Sequence, residues 1–586
     1  MTAKITPKFQ NQRADTISLA DVQRLILADP SLPSSLRRDI ASSLNTLGNA
    51  FGKMLEAIPA SPAAIRDMLQ RKSAAMVGIS RGRWNNVRSH TCIALLHLRL
   101  IAFPNRIEDP PSEAWRALLS DVTAKGPSAI LGRFARCCTL QGIEPAQVDD
   151  AFMASHRDDL IHRSLISGPE HNFRETVLAW NSAAVNVAGW PATQLTVPDN
   201  SLYYTPDWSS YPPSLNADVE TWLAGSTACD IFARLPSRQT LSPATIQSNK
   251  AHMRLMLGAL VNTGEDPALL VDLRAVITPE RLHKACTYHL ERANNQLSAV
   301  NAKISSMAVN IATHYLKLSG EGLTRMREIA QRLRMPKRGM TEPNKARLRA
   351  MDDAGRTDKM INLPWVMAEE VEQEIRRSGR TTFALALKYQ TALAIGLALT
   401  KGWRRKNLGN LVIGETLLLR PDGRVMGVFD KTQVKNGMPI ETELSPRLAN
   451  MVHTYLKLHR PLLADTPSDF MFPGTRTGRP KTLGALSHSI KTALIDRVGI
   501  DATMHFFRHF SGKLILDDDP TAIRTVQEHL GHKSLSTTLG FYVDRRGAAA
   551  TARYDALIET RLTAMRSRRS PNGGGRRPTN SEKGDK

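Results

Sequence analysis

Residues 504–543 contain the most informative local pattern in the sequence. A largely apolar run over 510–516 predicts one helix, an acidic turn follows it, and residues 523–530 predict a second helix. Gly531 directly after the second run is typical of a helix C-terminus, so His532 begins the next segment. The stretch therefore predicts two short helices in succession, with a polar turn after each.

Several side chains in this stretch have the chemistry of a catalytic site. His505 and Arg508 are three residues apart, so on a helix they would share one face. His532 and Tyr542 add a second imidazole and a phenol within about forty residues. His509 is expected to point away from the shared face. Each residue taken singly is more often a core or surface residue, so only the order and spacing together indicate a site.

This order of a His-x-x-Arg helix, a Leu-Gly-His turn and a downstream Tyr resembles the C-terminal half of the active site in the tyrosine recombinase, or phage integrase, family. The resemblance spans roughly residues 215–560. It implies a catalytic role for four residues: His505, Arg508, His532 and Tyr542.

A second segment matches the first half of such an active site. Residues 383–399 predict a mostly apolar helix, and a Gly-x-Arg sequence after it ends at Arg404. The resemblance implies that Arg404 is the first catalytic arginine, with Arg405 as the alternative. Asn407 stands where the family usually has an acid, and an amide accepts a hydrogen bond without the assistance of a charge.

Strand signals follow this helix. Residues 416–419 and 425–429 flank a Pro-Asp-Gly turn, and an Asn-Gly pair predicts a further hairpin. In the family, a lysine in this small sheet is the general acid and is usually followed by Thr. Lys431, before Thr432, is therefore the expected general acid, and Lys435 is the alternative.

These residue types suit transfer at a DNA phosphodiester. Tyr542 would attack the phosphorus and hold the strand as a phosphotyrosine, which conserves the free energy of the bond. Arg404 and Arg508 would bind the two non-bridging oxygens, because a guanidinium fork matches phosphate geometry and stays charged.

The remaining groups would move protons. His505 would relay the proton of the tyrosine, His532 would donate to a phosphate oxygen, and Lys431 would protonate the leaving 5′ oxygen. The chemistry requires no metal ion or other cofactor. The five cysteines show no Cys-x-x-Cys or Cys/His spacing typical of a metal site.

The net positive charge of the chain indicates the kind of molecule that it binds. Lys and Arg (78) exceed Asp and Glu (55) by 23, which indicates a polyanion, and double-stranded DNA is the expected one. The N-terminus lacks the apolar core of a signal peptide, and no apolar run approaches twenty residues. We therefore expect a cytoplasmic, nucleoid-associated bacterial protein.

The length predicts several domains and a mostly α-helical, multidomain fold with helical N-terminal DNA-binding blocks. The catalytic domain is expected to be mixed α/β, with a small antiparallel sheet. The expected segments are an N-terminal extension short of core material (1–55), a helical domain that adds either DNA contacts or protein contacts (56–210), a core-binding helical domain (215–334), a basic linker (335–360), the catalytic domain (361–560) and a disordered basic tail (561–586). A linker rich in Pro, Ser and Asp is expected over 189–213.

Three functions remain open at this level. The first is a site-specific recombinase or integrase that acts as a homo-tetramer on paired DNA sites, with accessory DNA-bending or partner recombinase proteins, and moves a genetic element. The second is a DNA-binding organiser of the ends of an element, with little catalysis. The third is a telomere resolvase or topoisomerase-like enzyme with the same chemistry. Residues 550–565 have apolar side chains at helical spacing, and either pass to a neighbouring subunit or fold back.

Overall fold

The computed structural model describes residues 17–101, 109–123, 125–198, 205–225, 241–335, 339–434, 437–464, 467–474, 478–532, 534–536, 538–539 and 554–565. The described part is mostly helical and contains a three-stranded antiparallel sheet in its C-terminal half, which confirms the predicted fold class. The chain divides into two compact units. Residues 198–338 form one unit, and the residues on either side of that segment together form the other.

A first helical group lies within residues 17–101 and has its own apolar core. Its helices are α1 (Leu19–Ala28), α2 (Ser34–Phe51), α3 (Pro62–Arg71), α4 (Ala74–Val77) and α5 (Arg81–His97). Leu19 of α1 and Leu44 of α2 are buried in the same core as Trp84 of α5. The expectation that the first 55 residues are short of core material is therefore wrong. Their apolar residues recur about once per helical turn among polar ones, a narrow stripe that composition does not reveal.

A second helical group lies within residues 109–197 and packs around aromatic rings. Its helices are α6 (Glu113–Ser120), α7 (Lys125–Gln141), α8 (Asp150–His162) and α9 (Pro169–Asn186). Trp115, Trp180 and Trp190 are buried, and the rings of Trp180 and Trp190 meet edge to face with centroids 5.3 Å apart. Trp190 lies in the expected linker, so that stretch begins inside the packed core instead of outside it.

The unit formed by residues 198–338 is helical and has a separate core. Its helices are α10 (Pro213–Gly225), α11 (Pro243–Asn262), α12 (Leu273–Val276), α13 (Pro279–Arg292), α14 (Ala299–Asn310) and α15 (Glu321–Arg332). Ser242, Thr278 and Ser298 cap α11, α13 and α14 by accepting a backbone N–H with the side chain. Leu257 and Ile304 are fully buried in its core.

The C-terminal region contains most of the remaining core. Its helices are α16 (Glu342–Arg349), α17 (Ala354–Ser378), α18 (Phe383–Lys401), α19 (Arg405–Gly409), α20 (Pro446–Thr454), α21 (Leu483–Arg497), α22 (Phe506–Asp518), α23 (Ile523–Leu530) and α24 (554–565). Leu348, Met351 and Met360 are buried in this core. Residues 339–360 are therefore packed structure and not the expected linker. Their few apolar side chains are separated by basic ones, which hides them in the sequence.

The helix α18 is the centre of this region. Thr382 caps its N-terminus, and Leu393 and Ile395 are among its fully buried residues. A helix that is apolar on all sides belongs in a core or in a membrane. Among the described residues, α18 is the one helix long and apolar enough to cross a bilayer, and 67% of that apolar window is buried in the protein. The burial indicates a core helix.

The sheet has the strand order β1 (Leu417–Leu419), β2 (Val425–Phe429) and β3 (Ile440–Glu443). Both pairs are antiparallel, with Leu418 opposite Met426 and Val428 opposite Glu441. Gly427 of β2 lies against the indole of Trp403, and a Cβ at this position would meet two ring atoms at 2.3 Å. The absence of a side chain at Gly427 therefore allows the residue before Arg404 to pack on the sheet.

Candidate active site

The C-terminus of α18 positions Arg404. Gly402 ends the helix in the left-handed conformation (φ 55°), and a Cβ there would lie 3.0 Å from Nε2 of His529, so both backbone and space favour glycine. Trp403 is buried edge to face on Phe429. These contacts place Arg404 half-buried at the start of α19, where burial lowers the pKa of its guanidinium.

Arg508 of α22 is buried, with 6% of the residue exposed. Its Nη1 donates to the carbonyl of Gly402, and its Nη2 donates to the carbonyl of Leu530 at 2.5 Å. These carbonyls belong to the C-termini of α18 and α23, where backbone acceptors lack partners within the helix and carry the negative end of the dipole. One guanidinium thus joins the segment that leads to Arg404 with the segment that leads to His532.

His532 lies directly after the left-handed glycine that ends α23. Its Nδ1 is 2.9 Å from Oγ1 of Thr538, which is fully buried. Burial first, and then the charges of Arg508, Arg404 and His505, lower the pKa of His532 to about 4. These four side chains therefore share one electrostatic environment, and His532 is neutral at pH 7.

His505 and His509 form a pair at the start of α22. His505 stands at the N-cap and is exposed, whereas Arg508 is buried, so the two do not share equal access to solvent. The rings of His505 and His509 meet edge to face with centroids 5.2 Å apart. Burial, followed by the charges of neighbours including His505 and Arg508, lowers the pKa of His509 to about 4. The expectation that His509 points away is therefore wrong, and its i, i+4 relation to His505 was the available signal.

The turn after β2 carries Lys431, which is exposed. Asn407 is buried in α19, and its Nδ2 donates to the backbone carbonyl of Gln433 in this turn at 3.3 Å. The residue that replaces the usual acid therefore binds the turn of Lys431 to the helix that follows Arg404. The alternative lysine, Lys435, lies outside the described residues.

Tyr542 also lies outside the described residues, which resume with α24 at residue 554. α24 exposes apolar side chains in the described part of the chain. They are Tyr554, Leu557, Ile558, Leu562 and Met565. Across the described ranges, no group of three or more His, Cys, Asp or Glu side chains is placed to hold a metal ion.

Two contacts of the site were not predicted from the sequence. Thr538 is one of several hydroxyl residues after the Leu-Gly-His turn, and the sequence does not show which of them meets the imidazole of His532. The link from Asn407 to Gln433 joins residues 26 positions apart and depends on how the turn after β2 packs on α19.

The region that contains this site is similar to known proteins. Residues 366–548 match the phage integrase family. The putative integrase/recombinase y4qK and the putative integrase/recombinase y4eF, both from Sinorhizobium fredii (strain NBRC 101917 / NGR234), are each 33% identical to this chain over 96 residues. Each match covers 16% of this chain, and the matches span 29% and 36% of the lengths of the two relatives.

A solved structure also aligns with the chain. It is the crystal structure of the XerH site-specific recombinase bound to the difH substrate, in a pre-cleavage complex. The alignment covers 58% of this chain and 96% of that one, at 14% identity and a TM-score of 0.28. Residues 366–548, in the C-terminal region of this chain, are therefore similar to the phage integrase family, whose members are tyrosine recombinases.

Proposed function

We propose that this chain is a site-specific recombinase that cleaves and rejoins DNA through a covalent 3′-phosphotyrosine, and that it integrates or mobilises a genetic element. The observation that carries the proposal is the position of Arg508. Its buried guanidinium holds the segments of Arg404 and His532 together, inside the region that matches the phage integrase family. Two guanidinium groups and an imidazole in one environment suit a phosphodiester.

Charge stabilisation is assigned to the arginines. Arg404 and Arg508 would each bind a non-bridging oxygen of the scissile phosphate, because a guanidinium remains charged at pH 7 even where burial lowers its pKa. Because hydrogen bonds already hold Arg508, it needs little reorganisation during the reaction. Preorganised donors of this kind contribute about 3–4 kcal/mol each in comparable sites.

The bond changes are assigned to Tyr542, His505 and Lys431. The oxygen of Tyr542 attacks the phosphorus and its proton passes to His505, while the bond to the 5′ oxygen breaks and Lys431 supplies the proton for that oxygen. Tyr542 is assigned from its spacing after the Leu-Gly-His turn. The link between Asn407 and Gln433 supports a fixed position for the turn of Lys431.

His532 is proposed to donate to a phosphate oxygen through Nε2. A neutral imidazole donates from one nitrogen and accepts at the other. The tautomer with the proton on Nε2 requires Nδ1 to accept, and the hydroxyl of Thr538, 2.9 Å away, is able to donate to it. Thr538 is therefore proposed as the residue that orients His532 and selects its tautomer.

The proposed partner is double-stranded DNA that carries specific recombination sites. The net charge of +23 supports this partner, and residues 215–334 are proposed to form the core-binding domain. We propose a homo-tetramer on paired sites, with accessory DNA-bending or partner recombinase proteins, in the cytoplasm and on the nucleoid. The exposed apolar face of α24 supports the passing of this helix to a neighbouring subunit.

A recombination assay tests the proposal. The full chain is incubated, in excess EDTA, with a supercoiled plasmid that carries two copies of the sequence the protein selects from a random duplex pool. We expect recombinant circles, since the assigned groups are Arg, His, Lys and Tyr. Loss of product in EDTA that magnesium restores would contradict the assignment. Binding without strand cleavage would favour the DNA organiser, and relaxation without exchange would favour the topoisomerase-like enzyme.

A further inference from the structure

The segment around α4 and α5 is unusually basic. Residues 68–107 contain seven Lys or Arg and no Asp or Glu, whereas Asp and Glu make up 55 of the 586 residues of the whole chain. At that average frequency, a segment of this length would contain about four carboxylates. Arg71 pairs with Asp67, directly before the segment, at 2.8 Å, and the segment contains no carboxylate of its own that would neutralise the other six charges.

The local fold of this segment is a short helix, a tight turn and a longer helix. Ser73 caps α4, and α4 ends at Gly78 in the left-handed conformation (φ 77°). Ser80 then caps α5, because its Oγ accepts the backbone N–H of Arg83 at 3.1 Å. Two helices joined by a three-residue turn that contains glycine are typical of the helix-turn-helix motif, in which the second helix enters the major groove of DNA.

The two faces of α5 have different roles. One face buries Trp84, Val87 and Leu95 in the core of the first helical group. The exposed residues of the first turns of α5 are Arg81, Gly82, Asn85, Asn86, Arg88 and Ser89. At 1.5 Å per residue this exposed row is about 12 Å long, close to the width of the major groove.

The exposed side chains of α5 differ from its inner ones in their contacts. Arg83 is used inside the protein, where its Nη2 donates to Oγ of Ser42 and to Oγ1 of Thr46 at 2.8 and 3.1 Å. The side chains of Asn85 and Asn86 make no hydrogen bond with any other described residue. Asparagine binds adenine through two hydrogen bonds, and arginine binds guanine or phosphate, so the exposed row has the side chains that read DNA.

We propose that α5 is a DNA-recognition helix that reads base edges in the major groove. Asn85 and Asn86 are its base-reading residues, and Arg81 and Arg88 contact the phosphates on either side. This element is separate from the site of Arg404 and Arg508 in sequence and gives the chain a second means of selecting its DNA.

Contacts of α4 attach this motif to the C-terminal region. The Oγ of Ser73 donates to the carbonyl of Ile495 in α21 at 2.7 Å. Gly499 lies so close to α4 that a Cβ there would be 2.8 Å from the carbonyl of Ala75. The chain runs from Gly499 to His505 within six residues. The bases that α5 reads should therefore lie at a fixed distance from the cleavage point.

The first experiment is the selection of bound duplexes from a random-sequence pool by the full chain and by its Asn85→Ala/Asn86→Ala variant. We expect the variant to lose one block of the selected sequence. Its affinity for the sequence that the wild type selects should decrease about 5- to 150-fold, as for lost bidentate base contacts. Both asparagines are exposed on a helix, so the variant should keep its fold. Selection of the same complete sequence by both proteins would overturn the proposal.

The second experiment measures how affinity for that duplex depends on salt. The Arg81→Ala/Arg88→Ala variant should lower the slope of log affinity against log salt by about 1.8, which corresponds to two phosphate contacts. The control is Arg38→Ala/Arg116→Ala, which removes the same charge from exposed positions on α2 and α6. An equal decrease in the control would show a diffuse charge effect and would also overturn the proposal.

A third experiment tests the fixed distance. Five base pairs are inserted between the block read by α5 and the cleavage point, which moves the block to the opposite side of the duplex. The protein should then no longer bind the block and the cleavage point at the same time. The cleavage measurement rests on the proposed recombinase activity, whereas the selection of bound duplexes and the salt dependence of DNA affinity do not. Failure of the recognition helix and failure of the catalytic proposal are therefore distinguishable. An insertion that changes neither affinity nor cleavage would contradict the fixed distance.

Discussion

Gly427→Ala should disturb the candidate active site through a single added methyl group. Its Cβ would lie 2.3 Å from Cη2 and Cζ2 of Trp403, whereas non-bonded carbon atoms pack at about 3.5 Å or more. Trp403 has little room to retreat, because it is 4% exposed and its indole meets the ring of Phe429 with centroids 5.1 Å apart. The indole must shift by roughly 1 Å to restore that spacing, and Arg404 follows it directly in the chain.

Gly427→Ala should lower both the stability of the protein and its rate of DNA cleavage. The free energy of unfolding should decrease by about 1–3 kcal/mol, the usual cost of an overpacked core. Cleavage of a bound site should slow by up to about 10²-fold, because a displacement of roughly 1 Å at Arg404 takes the guanidinium out of position. The affinity for DNA should change little, since it depends on many phosphate contacts elsewhere.

Urea unfolding followed by circular dichroism and single-turnover cleavage measure these effects. The control is Gly484→Ala in α21, where an added Cβ meets no atom within 4 Å, so stability should stay constant or rise by up to about 1 kcal/mol. In the double variant Gly427→Ala/Trp403→Phe, the smaller ring removes the clash, so the two changes should cost less together than their sum. If Gly427→Ala behaves like the control, the packing argument is refuted.

Three further perturbations have defined outcomes. Burial lowers the pKa of His532 and His509 from 6.5 to about 4, so between these pH values the unfolded chain binds more protons than the folded protein. The free energy of unfolding should therefore fall as the pH decreases from about 6.5 to 4, and it should fall less steeply in His509→Gln. Urea unfolding across that pH range measures both trends. Asn407→Asp removes the donor to the carbonyl of Gln433 and should lower the free energy of unfolding by about 1–3 kcal/mol in the same assay; an unchanged value would show that this hydrogen bond is dispensable. Deletion of residues 550–586 should leave single-site binding intact and abolish the paired complex in native gels, whereas a normal paired complex would rule out exchange of α24.

Apolar runs that end at glycine were predictable from the sequence. The helix predicted over 383–399 is α18, which ends two residues later, and the helix predicted over 523–530 is α23 with the same bounds. In both cases the helix ends at a glycine in the left-handed conformation, so local sequence determines the end of the helix. Residues 17–51 and 339–360 were misjudged because their core residues are sparse among polar and basic ones.

The sequence predicted which residue types form the candidate site, but it did not predict the hydrogen bonds and ring contacts between them. The order of motifs indicated Arg404, Arg508 and His532, and the structure brings the segments of these residues together around one guanidinium. The carbonyl of Gly402 that Arg508 binds is 106 positions away in sequence, so only tertiary packing shows that contact. Spacing alone also did not show that His509 faces His505 or that Thr538 meets His532.

Tyr542 is proposed as the nucleophile, and a covalent adduct between Tyr542 and the DNA would demonstrate this role. On a target duplex nicked near the cleavage point, the short fragment diffuses away after attack, so the protein stays bound to the DNA. The control tyrosine in the core is Tyr455, which is fully buried and whose hydroxyl accepts a hydrogen bond from Gln390 at 2.8 Å.

Mass spectrometry of the DNA-linked peptide gives the result. We expect a single adduct on Tyr542 in the wild type, and none in Tyr542→Phe, which should bind the duplex with unchanged affinity because only the attacking oxygen is removed. An adduct on any other residue, or an adduct that persists in Tyr542→Phe, would contradict the assignment of the nucleophile.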